Sequence, residues 1–187
     1  KKDNKLPKLI VPVHFAGQSC NMEAIWELSK EYKFKVVEDA SHALGGEYKG
    51  KKIGNCKYSD MAVFSFHPVK MITTGEGGAV TTNSKSLDEK VSLLRTHGIT
   101  KDPSQFVFKP HGDWYYEQQC LGYNYRLTEI QAALGISQLK RLDSFVFKRK
   151  EIAEFYLENL DPKITPIQLS DTNSAWHLFV VQVSNGQ

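Results

Sequence analysis

Residues 61–82 read MAVFSFHPVKMITTGEGGAVTT and show a strand–turn–strand pattern that carries Lys70. The first six residues are apolar or aromatic with one polar break, which is typical of a strand buried on both faces. Pro68 follows at once and predicts a turn, because proline lacks a backbone donor and cannot continue a helix. The glycines of GEGG (residues 75–78) predict a second turn with positive φ angles, and AVTT (residues 79–82) predicts a second short strand.

Lys70 lies on the first of these turns, directly after the predicted buried strand. A lysine on a stiff turn at a strand end is held in one place and partly removed from water. Because desolvation favours the neutral, nucleophilic amine, such a lysine is suited to Schiff-base chemistry. The alternative is an ordinary hairpin with a surface lysine, and the rest of the chain has to distinguish the two.

The segment upstream of this stretch has the order strand, helix, strand. Apolar residues predict strands at 9–15 and 34–37, and apolar positions at helical spacing predict a helix over 22–32 with Asn21 as its N-cap. This order is a βαβ unit, which favours a parallel sheet with a right-handed crossover.

Polar side chains follow two of the predicted strands. Asp39 and His42 come after the second strand, and residues 65–70 come at the end of the strand quoted above. Ligands of parallel α/β sheets bind at the carboxyl ends of the strands. The sequence therefore predicts a binding site at this edge of the sheet.

The remaining chain gives a coarser pattern. Residues 45–54 are a glycine-rich connection, which predicts a small hairpin around 49–51. Beyond the quoted stretch we expect a helix over 86–96, an irregular segment over 97–122, helices over 127–142 and 145–160, and a strand over 175–183 in a separate smaller unit.

Composition excludes several classes of protein. The 187 residues are 41% hydrophobic, enough for a core of one domain or slightly more. A net charge of +3, evenly spread, gives no reason to expect nucleic acid or an anionic membrane as a partner. Three widely spaced cysteines without a C-x-x-C pair indicate a reducing cytoplasm and argue against a structural zinc site, so no metal is expected. No apolar run approaches the ~20 residues that span a bilayer.

The two ends of the sequence suggest a piece of a longer chain. The sequence does not begin with methionine, and a predicted strand near residues 180–183 is followed by only four residues. We therefore expect an internal fragment.

Four motifs, in order, give the sequence a family resemblance. They are EDASHALGGEYKGKKIG (residues 38–54), FSFHPVKMITTGEGGAV (64–80), LRTHGI (94–99) and LGYNYRLTEIQAALGISQL (121–139). They resemble the signatures of the DegT-type sugar-nucleotide aminotransferases, and the likeness covers nearly the whole chain. It implies the α/β fold type I of pyridoxal-phosphate transferases. Residues 1–142 would be the C-terminal part of a three-layer α/β/α large domain, and residues 143–187 a linking helix and the start of a small C-terminal domain.

The resemblance also implies a role for five residues. Lys70 would hold pyridoxal 5′-phosphate as a Schiff base and shuttle a proton, and Asp39 would pair with the pyridine nitrogen. His42 stands where many relatives carry glutamine and would contact the ring or its 3-oxygen, whereas Ser65 would donate to the phosphate. Asn124 would reach the cofactor phosphate of a neighbouring subunit, which implies a homodimer. Read alone, Asp39 could be an N-cap, His42 a buried structural histidine and Asn124 a turn residue.

The function implied is transfer of an amino group from L-glutamate to C4 of a UDP-linked 4-keto-6-deoxy-N-acetyl-hexose, for biosynthesis of pseudaminic acid-type sugars in the cytoplasm.

Alternatives are another DegT-type sugar aminotransferase, a sugar dehydratase of the same family, or a catalytically silent binding domain. Dehydratases of the family replace the lysine with histidine, and silent relatives lose the lysine or the aspartate, whereas Lys70 and Asp39 are both present. A nicotinamide-binding protein would need a G-x-G-x-x-G motif, which is missing. His67, Glu76 and Arg126 lie in the motifs without an assigned role.

The family's phosphate-binding loop and the aromatic residue that stacks on the cofactor ring have no counterpart in the sequence. We therefore expect the isolated chain to bind pyridoxal phosphate poorly.

Overall fold

The computed structural model describes residues 6–183, which form two compact units. The first unit contains residues 6–83 and 129–183, and the second contains residues 84–128. The predicted domain boundary between residues 142 and 143 lies inside the first unit and stays a prediction. Within the described residues, no helix is both long and apolar enough to cross a membrane.

A four-stranded sheet organises the first unit. Its strands, in spatial order, are β1 (Leu9–Ile10), β2 (Lys35–Asp39), β5 (Met61–Ser65) and β6 (Gly78–Thr81). The first three run parallel, and β6 returns antiparallel to β5. Helix α1 (Met22–Tyr32) connects β1 to β2, and the Asn21 side chain caps it by accepting from the Ala24 N–H at 3.3 Å. The predicted βαβ unit is confirmed, although its first strand is shorter than residues 9–15.

Only one face of β5 is buried among the described residues. Ala62 and Phe64 lie in the core with Ala40, whereas Val63 is 36% exposed. The prediction of a strand buried on both faces is therefore wrong, since the two hydrophobic clusters of the described chain pack on the opposite side from Val63. The second cluster contains Val36. The alternation leaves Val63, and Val80 opposite it on β6, on the more exposed side of the sheet.

The buried face also holds a polar pair. His14 and Glu38 are both buried, and the His14 Nε2 lies 2.7 Å from the Glu38 Oε2. The Cys20 N–H donates to the His14 Nδ1 at 3.2 Å, which favours the tautomer that donates from Nε2 to the carboxylate. Ser59 donates to the other carboxylate oxygen. The buried charge of Glu38 thus has its partners.

The connection after β2 contains the predicted hairpin. Strands β3 (Glu47–Tyr48) and β4 (Lys51–Lys52) pair antiparallel, and β9 (Thr172–Asn173) adds to the other side of β3. The predicted strand over residues 175–183 is wrong: this segment has no regular secondary structure. Its backbone groups bond instead to separate loops, as in the Gln182 N–H, which donates to the Ile164 carbonyl at 2.9 Å.

Two consecutive helices follow the second unit. The predicted helix over 127–142 is shorter, α3 (Glu129–Leu139), and α4 (Leu142–Asn159) begins three residues later. Gly135 lets α3 lie close to the loop that contains Thr74, since a Cβ at position 135 would be 2.8 Å from the Thr74 Cγ2. Apolar side chains of α3 are exposed in the described part of the chain, with Ile130 at 84%.

The second unit has more structure than the irregular segment predicted. It begins with α2 (Lys85–Arg95), capped by the Ser84 side chain, and contains the antiparallel pair β7 (Ile99–Thr100) and β8 (Glu117–Gln118). The Glu117 carboxylate accepts from the backbone N–H groups of Val107 and Phe108 at 2.7 and 2.8 Å. These bonds hold the loop between the two strands.

Gly17 combines a positive φ with backbone atoms crowded around its Cα, and we expect its replacement by alanine to destabilise the protein. Its φ is +106°, and a Cβ would lie 2.8 Å from the Trp176 nitrogen and 3.0 Å from the His177 nitrogen. Strain and overpacking together should lower the free energy of unfolding by about 2–4 kcal/mol. The control is Gly50→Ala, with φ +69° and open space around it, which should cost only about 1–2 kcal/mol. Urea unfolding measures both, and equal costs would contradict the crowding argument.

Candidate functional site

The candidate site lies where β2 and β5 end. The two strands are parallel, with Asp39 opposite Val63, so that Asp39, Val63 and Ser65 share one face of the sheet. Asp39 and Ser65 are the last residues of their strands and are half-buried. The sequence prediction that these polar residues meet at one edge agrees with this geometry, because the carboxyl ends of parallel strands are adjacent.

The Asp39 carboxylate is held in its charged form. Its Oδ1 accepts a hydrogen bond from the Ser41 N–H at 3.0 Å. Burial raises the pKa of Asp39, but the hydrogen bonds with Ser41 and the electrostatic influence of His42 and Lys70 outweigh it, so the pKa lies below its usual range. The N-cap alternative does not describe Asp39, since a turn and no helix follows it.

His42 is fixed by a turn far away in the sequence. The Ala16 N–H donates to the His42 Nδ1 at 3.3 Å, so the neutral ring carries its proton on Nε2. Ala16 has a φ of 59° within the 3-10 turn Phe15–Gly17, an unusual conformation for alanine. Burial and the charge of Lys70 lower the pKa of His42, and Asp39 only partly offsets them. A neutral His42 with an Nε2–H donor follows.

Lys70 lies on the turn that follows β5 and is half-buried. The Lys70 N–H donates to the His67 carbonyl at 2.9 Å, which closes the turn around Pro68. Ser65 accepts from the His67 N–H at 3.4 Å through its Oγ. Its turn follows β5 at the edge of the sheet where β2 ends, and its charge lowers the pKa of both Asp39 and His42.

His177 joins this group although sequence reasoning missed it. Its ring lies 4.5 Å from that of His42, and its side chain is only 9% exposed. Burial, followed by the electrostatic influence of His42, Lys70 and Arg149, lowers the pKa of His177 to about 4. The only signal in the sequence is a histidine within the apolar run at 175–183, which was interpreted as a strand.

The other predicted residues are placed as follows. Asn124 is exposed and belongs to the second unit, where it forms an antiparallel bridge with Thr96. Its predicted reach to a neighbouring subunit stays a prediction. His67, Glu76 and Arg126 are exposed, and the His67 Nδ1 accepts from the Val69 N–H at 3.3 Å within the turn that carries Lys70.

The residues at this edge fit pyridoxal phosphate. The ionised Asp39 can pair with a protonated ring nitrogen, and the Nε2–H of His42 can donate to an anionic ring oxygen. Ser65 accepts from the His67 N–H and retains its own O–H for a phosphate oxygen. The Nδ1 of His177 is buried and has no partner among residues 6–183, as expected where a bound group supplies one.

The low pKa of His177 predicts how stability depends on pH. A histidine titrates near 6.5 in the unfolded chain and near 4 here, so between these values the unfolded chain binds more protons. We therefore expect stability to fall as the pH decreases from about 6.5 to about 4. Urea unfolding at several pH values would show a smaller fall in His177→Phe than in the parent protein. An equal fall in both would mean that His177 does not titrate in this way.

The chain is similar to known proteins over nearly its whole length. The DegT/DnrJ/EryC1/StrS aminotransferase family matches residues 3–187. The uncharacterized protein MJ1066 of Methanocaldococcus jannaschii is 46% identical over 180 residues, covering 95% of this chain and 46% of that protein. The UDP-4-amino-4,6-dideoxy-N-acetyl-beta-L-altrosamine transaminase of Campylobacter jejuni is 45% identical over 172 residues, covering 90% of this chain and 43% of that protein.

A solved structure matches as well. Helicobacter pylori PseC, an aminotransferase involved in the biosynthesis of pseudoaminic acid, superposes with a TM-score of 0.81 at 40% identity, covering 94% of this chain and 45% of that one. The chain thus spans a little under half the length of the proteins it matches. The predicted fold type I architecture is confirmed. The chain belongs to the DegT/DnrJ/EryC1/StrS aminotransferase family.

Proposed function

We propose that the intact protein carrying this chain is a pyridoxal-phosphate-dependent sugar-nucleotide aminotransferase. The observation that carries the proposal is the pair formed by Lys70, on the turn after one strand, and the ionised Asp39, at the end of the adjacent parallel strand. A catalytically silent binding domain would have no need to keep both groups at one sheet edge.

Each side chain has a defined task in this proposal. Lys70 would hold the cofactor covalently and, once released, would move a proton. Asp39 would keep the ring nitrogen protonated, and the cofactor would supply an electron sink. His42 donates from Nε2 to the ring oxygen, because the Ala16 N–H occupies its Nδ1. Ser65 donates to the phosphate.

The proposed substrates are a UDP-linked 4-keto-6-deoxy-N-acetyl-hexose as amino acceptor and L-glutamate as donor. The Campylobacter jejuni transaminase, whose name specifies a UDP-4-amino-4,6-dideoxy sugar, supports this choice at 45% identity. The amino group would be added at C4. A homodimer completed by Asn124 of each subunit is part of the same proposal.

The first experiment is chemical trapping in the intact protein. Pyridoxal phosphate is added, the covalent link is reduced with borohydride, and the modified peptide is located by mass spectrometry. The adduct is expected on the peptide that contains Lys70. A folded protein without an adduct at Lys70 would refute the proposal and favour the silent binding domain.

The substrate is tested separately. UDP-linked and GDP-linked 4-keto-6-deoxy sugars are each supplied with L-glutamate, and 2-oxoglutarate formation is followed. We expect product with the UDP-linked N-acetyl sugar at a kcat/KM at least tenfold above that for the GDP sugar. The reverse preference would leave the aminotransferase assignment standing and reject the proposed substrate.

A further inference from the structure

His177 has a buried nitrogen without a hydrogen-bond partner. Its side chain is 9% exposed, and its Nδ1 bonds to no group among residues 6–183. Buried polar atoms in native proteins are nearly always satisfied, because an unpaired one loses its bonds to water without replacement. An ordinary core histidine would be expected to have such a partner. The missing hydrogen-bond partner of Nδ1 therefore points to a group that binds beside it.

Hydrogen bonds fix the backbone around His177, so that movement of this segment does not expose the ring to solvent. The N–H groups of Ala175 and Leu178 donate to the carbonyls of Gly17 and Ala16 at 3.0 and 3.2 Å. Arg149 donates to the His177 carbonyl at 3.1 Å. The unpaired nitrogen is thus maintained by the fold and does not result from a loose segment.

The neighbours of the ring are residues of the proposed cofactor site. His42 lies 4.5 Å away between ring centroids, and the turn that anchors the His177 segment also fixes the His42 Nδ1. Lys70 is close enough to act on the charge of His177. Because burial and the neighbouring basic groups lower the pKa of His177 to about 4, the ring is neutral near pH 7 and is available as a hydrogen-bonding group.

We propose that His177 is a further cofactor-binding residue, whose Nδ1 forms a hydrogen bond with bound pyridoxal phosphate and whose ring supports that of His42. This inference rests on the proposed function. It predicts that the Nδ1 of His177 increases the affinity for the cofactor. The same atom should not stabilise the cofactor-free protein.

The test uses 4-deoxypyridoxine 5′-phosphate, which lacks the aldehyde and binds without a covalent link to Lys70. Its dissociation constant is measured by fluorescence titration for the intact parent protein and for His177→Phe, His177→Gln and His111→Ala. Phenylalanine keeps an aromatic ring but no nitrogen, and glutamine keeps a hydrogen-bonding group. His111 is an exposed histidine of the second unit and serves as the control.

The expected result has two parts. The dissociation constant rises about tenfold in His177→Phe, equivalent to about 1.4 kcal/mol, is partly restored in His177→Gln, and does not change in His111→Ala. In the absence of ligand, His177→Phe unfolds at the same temperature as the parent or higher, because an unpaired polar atom has been removed. Nitrogen NMR of labelled histidine should show the Nδ1 resonance of His177 shift on ligand addition.

Three results would overturn the inference. An unchanged dissociation constant in His177→Phe, with parental binding intact, would leave the proposed function standing and reject the role of His177. A lower unfolding temperature of ligand-free His177→Phe, together with unchanged affinity, would make the residue structural. If the parent protein binds neither this ligand nor pyridoxal phosphate, the proposed function fails and this inference fails with it.

Discussion

Replacement of Lys70 by arginine should abolish the covalent adduct with pyridoxal phosphate and remove aminotransferase activity. Arginine keeps the positive charge that acts on Asp39 and His42, but a guanidinium is not deprotonated in proteins. It can therefore neither form the link nor carry the proton, and loss of the proton transfer alone costs on the order of 10²–10⁴-fold in rate. The measurements are borohydride trapping and initial rates of 2-oxoglutarate formation.

Two further variants separate chemistry from structure. In Lys70→Ala, added methylamine should restore part of the rate, since a small free amine can enter the space of the deleted side chain. Lys90→Arg, an exposed position on α2, should behave as the parent protein. The free energy of unfolding should change by no more than about 0.5 kcal/mol in the Lys70 variants, because the side chain is only half-buried. Retention of activity in Lys70→Arg would exclude the proposed mechanism.

Replacement of Asp39 by asparagine should lower kcat/KM by on the order of 10²–10³-fold with little loss of stability. The asparagine Oδ1 can still accept from the Ser41 N–H, so the turn after β2 is preserved. What is lost is the negative charge that faces Lys70 and would hold the cofactor nitrogen protonated. Steady-state kinetics and the absorbance of the bound cofactor as a function of pH measure the effect.

The second unit offers a matched control for Asp39. Asp102 makes the same local contact, accepting from the Ser104 N–H two residues later at 2.9 Å, but it is exposed and belongs to the other unit. Asp102→Asn should therefore leave kcat/KM unchanged. Equal effects of the two substitutions would show that the turn, and not the charge, is what the activity requires.

The parts of the fold that could be predicted depend on local signals. Helix α1 has the bounds expected from its apolar spacing and its Asn21 cap. The turns around Lys70 and the glycines were predictable because Pro68 and GEGG restrict the backbone there. Parallel pairing then brings Asp39 and Ser65 to one edge of the sheet.

The parts that could not be predicted depend on contacts between distant residues. The tautomer of His42 is set by Ala16, 26 positions earlier, and nothing in the sequence around either residue indicates that bond. The apolar run at 175–183 was interpreted as a strand, but a strand needs a neighbour with free backbone groups, and these residues bond to Gly17, Ala16 and Ile164 individually. His177 was overlooked for the same reason.

The hydrogen bonds between the Phe15–Gly17 turn and residues 175–178 have a consequence for folding during synthesis. Translation proceeds at about 5–20 residues per second, so on the order of ten seconds or more separate the synthesis of the two partners. Until then the Ala16 and Gly17 carbonyls lack the amides that they bind in the finished structure. The corner of the site beside His42 is therefore assembled on the ribosome only well after Asp39 and Lys70 have emerged.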